Sequence, residues 1–505
     1  MGTNLGPVND VSEEWPFADA FKQAREWISG VKDGEWSDKR PLALDDRGWV
    51  RSLLPNQVAR TLVFGSDTHF PAGNYVVTWK GKGKLEYSIN GQVLSTAPGR
   101  EVVQIDGTKR GFILHLVQTD PADPLRDIHV YMPGGACEND PLTACTLPTD
   151  CGGAACQSFE QHPHIRFNPR FLHSLRGYGA IRFMDWLVTN DSTLQSWSQR
   201  PEVQDAVYTT SSGVPLEIAL ELVRVLDVDA WFTVPHLADD DFIRNMARTI
   251  KEGMPKGRLA YVEHSNEVWN GMFKQSQYAF QQGKALGLGT EEYETKLKYQ
   301  SRRSRHVFKL FSAVFGDKPY VRALGSHAAV DWAGRTMLEF EDTAKHVDAL
   351  AIAPYFGATL GSDEAPRISQ MSLDALFDTL KRESVPTAIE HMQKNAELAR
   401  RFKVRLIAYE GGQHLAGVGP AQTNTALNRL FDAANRDPRM KALYKTYLQG
   451  WKASGGESFL HYHSCGAQSE WGRWGAREWM EQPRALAPKF DALMEFAAAQ
   501  PPWWR

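Results

Sequence analysis

Apolar residues follow two different patterns along the chain, and one gives way to the other near residue 123. Between residues 40 and 122, short runs such as TLVFG, NYVVTW and GFILHLV alternate or are rich in β-branched residues, and turn residues separate them. Asn90-Gly91 lies between two such runs, as in a tight hairpin. We predict a β-sandwich accessory domain over residues 40–122, after an N-terminal segment, residues 1–39, whose helix (PFADAFKQAREWI) packs on the rest.

Beyond residue 123, strand-like runs alternate with amphipathic helical stretches. The eight predicted strands are DIHVYM (127–132), AIRFMDW (180–186), DAWFTVPH (229–236), LAYVEHS (259–265), YVRALGS (320–326), VDALAIAPY (347–355), VRLIAYE (404–410) and ESFLHYH (457–463). This alternation predicts an α/β fold, and eight strands are the number in a (β/α)8 TIM barrel, here over residues 123–505. A doubly wound open sheet is the alternative, but it usually has fewer strands, and no glycine-rich phosphate loop follows the first one.

Composition and charge narrow the class of protein. Hydrophobic residues make up 42% and charged residues 23% of the 505 residues, as in an ordinary globular protein. A net charge of −3 gives no reason to expect nucleic acid or an anionic membrane as a partner. No apolar run approaches the roughly 20 residues that span a bilayer. We expect a monomer.

Four of the five cysteines lie within twenty residues: Cys137, Cys145, Cys151 and Cys156. A loop rich in Gly, Ala, Thr and Pro cannot bury a core of its own, so we predict two disulfides, with the three possible pairings open. Zinc is the alternative, but the spacings lack the paired C-x2-C ligands of common zinc sites. Disulfides predict a secreted or periplasmic protein, although MGTNLGPVND has no signal-peptide features. Cys465 is expected to be a small buried residue.

Two carboxylates stand at predicted strand ends, where a (β/α)8 barrel forms its active site. Asn266 and Glu267 follow the fourth strand in HSNEVWN, and Glu410 ends the seventh in AYEGGQHL. Two carboxylates that face each other across a cleft suit glycoside cleavage, in which one is protonated and the other ionised. The histidines His129, His162 and His164 lack a supporting acidic cluster, and no metal or cofactor is expected.

These motifs resemble the signature of the large superfamily of retaining glycoside hydrolases with a (β/α)8 barrel, known as clan A. The longer string EHSNEVWN also resembles cellulase-like bacterial proteins labelled as cellulose-binding. The resemblance implies that Glu267 is the general acid/base and Glu410 the nucleophile. It implies double-displacement hydrolysis of a β-linked polysaccharide or oligosaccharide, with an endo-acting, cellulase-like enzyme favoured.

The same resemblance implies a set of residues around the substrate. It assigns sugar or nucleophile contacts to Asn266, Tyr355, Arg182 and His236, and an aromatic floor to Trp471 or Trp474; Trp186 lies at the same predicted rim. Arg182 has an alternative role in a buried salt bridge with Glu263. The sequence departs from the family pattern at Ala353, and strand eight ends in HYHSCG without a tryptophan at its tip.

A non-catalytic carbohydrate-binding protein with a relic barrel is the alternative function. The chain has sixteen tryptophans, whose flat faces suit stacking on sugar rings. In that case the β domain would hold the glycan through residues such as Trp79 or Tyr87. The linker TDPADPLRD is short and proline-braced, which favours a packed accessory domain over a tethered module.

Overall fold

The computed structural model describes residues 1–32, 34–65, 69–109 and 111–499. These residues divide into two compact units. The barrel unit comprises the described parts of residues 1–6, 177–200 and 216–505, and the β unit comprises those of residues 7–176 and 201–215. The domain boundaries expected after residues 39 and 122 do not fall between these units, because the β unit is inserted into the barrel sequence after residue 6.

Parallel strands form the centre of the barrel unit. Among the described residues they number eight: Gly2–Asn4, Ala180–Arg182, Asp229–Val234, Ala260–His264, Val321–Ser326, Ala349–Ile352, Arg405–Ala408 and Leu460–His461. The first strand pairs with both the second and the eighth. A parallel bridge between Ala408 and Phe459 joins the seventh strand to the start of the eighth, so the sheet closes on itself. The predicted (β/α)8-type barrel is confirmed.

The prediction of the first barrel strand is wrong. Residues 127–132 belong to the β unit, where Arg126–Tyr131 pairs antiparallel with Gly73–Lys80. The barrel instead begins with Gly2–Asn4, which a search for apolar runs misses because Thr3 and Asn4 are polar. Both side chains are buried and find partners inside the barrel: the Asn4 amide donates to the carbonyl of Tyr409 over 3.0 Å. The other seven strands lie where the sequence predicts them.

Helices follow the barrel strands along the chain. The longer ones are Leu216–Leu226, Asp240–Gly253, Lys274–Ala285, Glu292–Phe315, Asp331–Glu339, Leu373–Thr379, Val385–Phe402, Thr425–Arg436, Arg439–Ser454 and Pro488–Ala499. The helix Asp240–Gly253 illustrates the local signals, since the Asp239 carboxylate caps it by accepting from the amide of Phe242. Its predicted apolar side is buried. Of the helices described, none is long and apolar enough to cross a membrane.

Two four-stranded antiparallel sheets make up most of the β unit. In spatial order, one contains Ile28–Val31, Gln57–Phe64, Phe112–Thr119 and Gly83–Ser88, and the other Arg126–Tyr131, Gly73–Lys80, Arg100–Ile105 and Gln92–Ala97. The ring of Tyr75, from the second sheet, lies 6.3 Å from the rings of Phe64 and Phe112 in the first. Aromatic contacts therefore connect the two sheets.

The prediction of a helix near residue 20 is wrong. Only the 3-10 turn Ala20–Gln23 forms there, and Ile28–Val31 is a strand. The Asp19 carboxylate accepts from the backbone amides of Phe21 and Val130, and such side-chain bonds compete with a regular helix. The helix predicted to begin after Asn168 is confirmed as Pro169–Ser174.

Two disulfides cross-link a small three-stranded sheet in the β unit. They join Cys137 to Cys151 and Cys145 to Cys156. The predicted disulfides are confirmed, and the structure selects one of the three pairings. Cys465 is buried, as expected, and takes part in neither disulfide.

Candidate active site

A cavity of about 660 Å³ opens among the loops that follow the later barrel strands. Glu267 and Glu410 both line it, so the structure brings together the two carboxylates singled out in the sequence. Asn266, Tyr355 and Trp474 line the same cavity. The site therefore lies at the carboxyl ends of the strands, where barrel enzymes hold their catalytic groups.

Glu267 is held by the turn that ends the fourth strand. Ser265 and Glu267 adopt φ angles of 56° and 40°, in the left-handed region that side chains other than glycine rarely occupy. One carboxylate oxygen of Glu267 accepts from the Tyr409 hydroxyl over 3.1 Å, and the other accepts from the Asn270 amide over 2.9 Å. Both of these donors are neutral. Strained backbone of this kind is often found at functional sites.

Glu410 is bonded differently, because one of its donors is a cation. Its Oε1 accepts from the Arg182 guanidinium over 2.8 Å, and its Oε2 accepts from the Tyr355 hydroxyl over 3.0 Å. The side chain is only 7% exposed. A charge-assisted bond favours the ionised carboxylate more strongly than a neutral donor does.

Arg182 fills both of the roles considered for it. Its Nη2 donates to Glu263 over 2.8 Å and to the Asn266 side chain over 2.9 Å, while Nη1 contacts Glu410. Trp231 gives Glu263 a further donor. Burial alone would lower the pKa of Arg182, but Glu263 and Glu410 together raise it. The guanidinium is therefore both a structural cation and a partner of Glu410.

The two cavity carboxylates influence each other. Burial, with a further contribution from the charge of Glu267, raises the pKa of Glu410 to about 8, even though Arg182 and Tyr355 act to lower it. Among the contacts described above, Glu410 is the carboxylate that accepts from a cation, and this contact favours its ionised form.

A third carboxylate lies close to this pair. The Tyr462 hydroxyl, in the cavity wall, donates to Asp185 over 3.2 Å. Burial raises the pKa of Asp185 to about 6, and its charge contributes to the raised pKa of Glu410. Asp185 is therefore a further carboxylate whose charge affects the ionisation of Glu410.

The two tryptophans predicted as an aromatic floor, Trp471 and Trp474, lie in different environments. Trp474 lines the cavity, and its ring packs edge-on against Tyr355, His414 and Tyr462 at centroid distances of 5.8, 4.8 and 6.0 Å. Trp471 is 70% exposed and does not line the cavity, although its carbonyl accepts from the Trp474 indole. Of the two, Trp474 is the residue that lines the same cavity as the carboxylates.

Two other predicted substrate contacts lie away from the cavity wall. Trp186 is buried and packs edge-on against Phe183. His236 is buried against Tyr278, and burial lowers its pKa to about 4. Neither side chain lines the cavity, so a substrate contact of either one stays a prediction.

Sequence reasoning missed three side chains that complete the site. Tyr409 and Asn270 hold Glu267, and Tyr462 holds Asp185. The available signal was proximity: Tyr409 precedes Glu410, and Asn270 lies one turn beyond Glu267. Neighbours on a regular strand point to opposite faces, so alternation predicts that Tyr409 points away from the side of Glu410. Its hydroxyl nevertheless reaches Glu267 in the same cavity.

Removal of the Tyr355 hydroxyl should change the pH profile in a defined direction. The hydroxyl lowers the pKa of Glu410, so Tyr355→Phe should raise that pKa. On the mechanism proposed below, the acidic limb of kcat/KM then moves to higher pH, by about 0.5–1 unit for a hydrogen bond of ordinary strength. Tyr320→Phe, which removes a hydroxyl bonded to the Phe308 carbonyl instead, is the matched control. An unchanged acidic limb in Tyr355→Phe would contradict the assignment.

The sequence and the structure were compared with known proteins, and the solved structures named below are distant neighbours. Neither a family model nor a curated protein matches the sequence. Solved structures that match include a 4-O-α-L-rhamnosyl-β-D-glucuronidase from Fusarium oxysporum 12S, with 13% identity and a TM-score of 0.38 over 63% of this chain and 60% of that one. The exo-β-1,4-mannosidase Op5Man5 from Opitutaceae bacterium strain TAV5 matches with 12% identity and a TM-score of 0.40 over 65% and 54%.

An endo-β-1,4-mannanase from Thermotoga petrophila also matches, with 12% identity and a TM-score of 0.36 over 65% of this chain and 72% of that one. The chain spans about three fifths of the glucuronidase and about half of the mannosidase. All three names are those of glycoside-cleaving enzymes, the class that the sequence motifs resemble. At these identities and scores, none of the three decides what this chain does.

Proposed function

We propose that this protein is a retaining glycoside hydrolase that cleaves a β-linked polysaccharide or oligosaccharide by double displacement. The observation that carries the proposal is the unequal bonding of two carboxylates in one cavity. Glu410 has a guanidinium donor and Glu267 has only neutral donors among the contacts described above. One ionised and one protonated carboxyl group are what glycoside cleavage requires.

In the first step, a carboxylate oxygen of Glu410 attacks the anomeric carbon. The bond from that carbon to the leaving oxygen breaks, and Glu267 gives its proton to this oxygen, which leaves a glycosyl ester on Glu410. In the second step, ionised Glu267 takes a proton from water, which attacks the anomeric carbon and releases Glu410. Arg182 and Tyr355 hold the Glu410 carboxylate in position throughout, and Asn266 is poised to contact the sugar next to it.

The residues that line the cavity favour a sugar substrate without charged groups. The described lining residues include no Lys or Arg, so a uronate or sulfate group would meet the carboxylates without a compensating cation. Trp269, Tyr462 and Trp474 offer apolar ring faces of the kind that sugars stack on. Within this class we favour a β-glucan of the cellulose type and endo action.

Covalent labelling tests the proposal directly. The 2,4-dinitrophenyl 2-deoxy-2-fluoro β-glycosides of cellobiose and mannobiose would form a slowly hydrolysed ester on a retaining nucleophile. We expect mass spectrometry of the digested protein to find the label on Glu410. Labelling of another residue, or release of an inverted product from an unmodified substrate, would contradict the mechanism.

A non-catalytic carbohydrate-binding protein is the second candidate, and one observation favours it. The β unit contains its own cavity of about 690 Å³, bordered by Tyr87, Asn90 and Lys109. Glycan binding that Tyr87→Ala abolishes, together with no label and no product at the barrel site, would support this alternative. Turnover that survives the same substitution would support the enzyme.

Two further proposals concern the β unit and the location of the protein. We propose that its two sheets form a β-sandwich, which the contacts of Tyr75 with rings of the opposite sheet support. We also propose that the protein is secreted or periplasmic, since disulfides such as Cys137–Cys151 persist in oxidising compartments.

A further inference from the structure

A line of neighbouring aromatic rings leads outward from the Glu267 side of the cavity. It starts at Tyr409, whose hydroxyl donates to Glu267. The ring of Trp269 lies 6.3 Å from that of Tyr409 and is nearly parallel to the ring of His327, with centroids 6.4 Å apart and planes 8° apart. The inner part of this line is therefore attached to the groups that hold Glu267.

The line continues to the protein surface. The Tyr293 hydroxyl lies 3.2 Å from Nδ1 of His327, and the ring of Trp332 stacks on that of Tyr293 with centroids 6.0 Å and planes 20° apart. We call Trp269, His327, Tyr293 and Trp332 the aromatic wall. Trp269 is 6% exposed and Trp332 is 37% exposed, so the wall runs from the interior of the site to solvent.

Regular structure fixes the outer end of the aromatic wall. Tyr293 lies in the first turn of the helix Glu292–Phe315, and Trp332 lies in the first turn of Asp331–Glu339. The Lys296 ammonium lies 6.0 Å from the centre of the Tyr293 ring. Because two helix starts hold this ring pair in place, little conformational entropy is lost when a ligand binds to its face.

We propose that the outer pair, Tyr293 and Trp332, is a binding subsite for a sugar on the leaving-group side of the cleaved bond. This inference rests on the proposed function, in which Glu267 protonates the leaving oxygen. The departing part of the substrate must then lie on the Glu267 side, which is the side where the aromatic wall begins. Tyr293 lines the catalytic cavity itself, so the subsite is continuous with it.

The chemistry of the pair defines the ligand class. An exposed indole face suits the apolar C–H face of a pyranose ring, and the neighbouring hydroxyl and imidazole can bond sugar hydroxyls. Occupation of this subsite requires at least one sugar beyond the scissile bond. The natural substrate is therefore an oligosaccharide or polymer whose leaving group is a sugar.

Substrates with and without a sugar leaving group separate this role from a structural one. Cellohexaose and mannohexaose reach the leaving-group side, whereas β-cellobiosyl fluoride and β-mannobiosyl fluoride lose only fluoride. We expect Trp332→Ala to raise KM for the hydrolysed hexaose about 5–10-fold, the range expected for loss of one ring contact, and to leave kcat/KM for the matching fluoride unchanged. Trp332→Tyr should restore most of the loss.

Trp36→Ala is the matched control, because Trp36 is equally exposed at 37% and lies in the β unit. It should change neither reaction. Equal losses on hexaose and fluoride in Trp332→Ala would indicate a structural role and overturn the inference, as would an unchanged KM for the hexaose. A wild-type chain that hydrolyses neither fluoride nor hexaose would instead overturn the proposed function, on which the inference rests.

Discussion

Glu410→Gln should lower kcat on every glycan by at least about 10⁴-fold, because an amide cannot form the glycosyl ester. The loss should be the same whatever the leaving group, since the missing nucleophile acts on the anomeric carbon. Glutamine retains the shape and can still accept from Tyr355, so the fold should persist. Steady-state rates on a polymer and on a 2,4-dinitrophenyl glycoside, with circular dichroism as a check on folding, measure the effect.

Glu267→Gln is the matched comparison in the same cavity. It removes the proton donor, so hydrolysis of a polymer should fall by about 10²–10⁴-fold. On a dinitrophenyl glycoside the first step needs little protonation, so the glycosyl ester should still form and accumulate as a burst of dinitrophenol. A leaving-group dependence that is the same in both variants would contradict the separate roles of Glu410 and Glu267.

Arg182→Met should have the largest effect on stability. The guanidinium is fully buried and contacts Glu263 and Glu410, which are themselves almost fully buried. Removing the shared cation leaves two carboxylates without their charged partner, and breaking a buried ion pair in this way typically costs 3–5 kcal/mol. Urea unfolding followed by tryptophan fluorescence would measure the loss in the free energy of unfolding.

Two further variants test whether the loss in the free energy of unfolding comes from the buried ion pairs of Arg182. Arg258→Met breaks an ion pair with Asp227 whose carboxylate side chain is 62% exposed, so it should cost no more than about 1 kcal/mol. Adding Glu263→Gln to Arg182→Met should recover part of the loss, because one of the unpaired charges disappears. A cost in Arg182→Met as small as that of Arg258→Met would show that Arg182 does not stabilise the barrel.

The sequence predicts seven barrel strands and both carboxylates because these features are local. Val262 and Ile407 lie in apolar runs, and Glu267 and Glu410 follow these runs at the strand ends. The first strand is missed because the partners of its polar side chains are distant in the sequence. The Thr3 hydroxyl bonds to the carbonyl of His461 and the Asn4 amide to that of Tyr409, both more than 400 positions away. Polar side chains of this kind are interpreted as loop until those partners are known.

The same reason explains which site residues were found. Arg182 and Tyr355 were predicted by resemblance, and both contact Glu410. Trp186 and His236 stand near predicted strand ends too, but each packs into the interior, and a one-dimensional pattern does not say which way a side chain turns after a strand ends. The aromatic wall, assembled from two loop residues and two residues at helix starts, has no sequence pattern.

The pairing of the first strand has a consequence for how this protein is made. The Thr3 hydroxyl bonds to the carbonyl of His461, 458 positions away, and Gly2 pairs with Leu460. During synthesis the barrel cannot close until the eighth strand has left the ribosome, whereas the β unit needs nothing beyond residue 215. Until then the barrel stays open, and barrel closure across so long a separation is expected to be the slow step in folding.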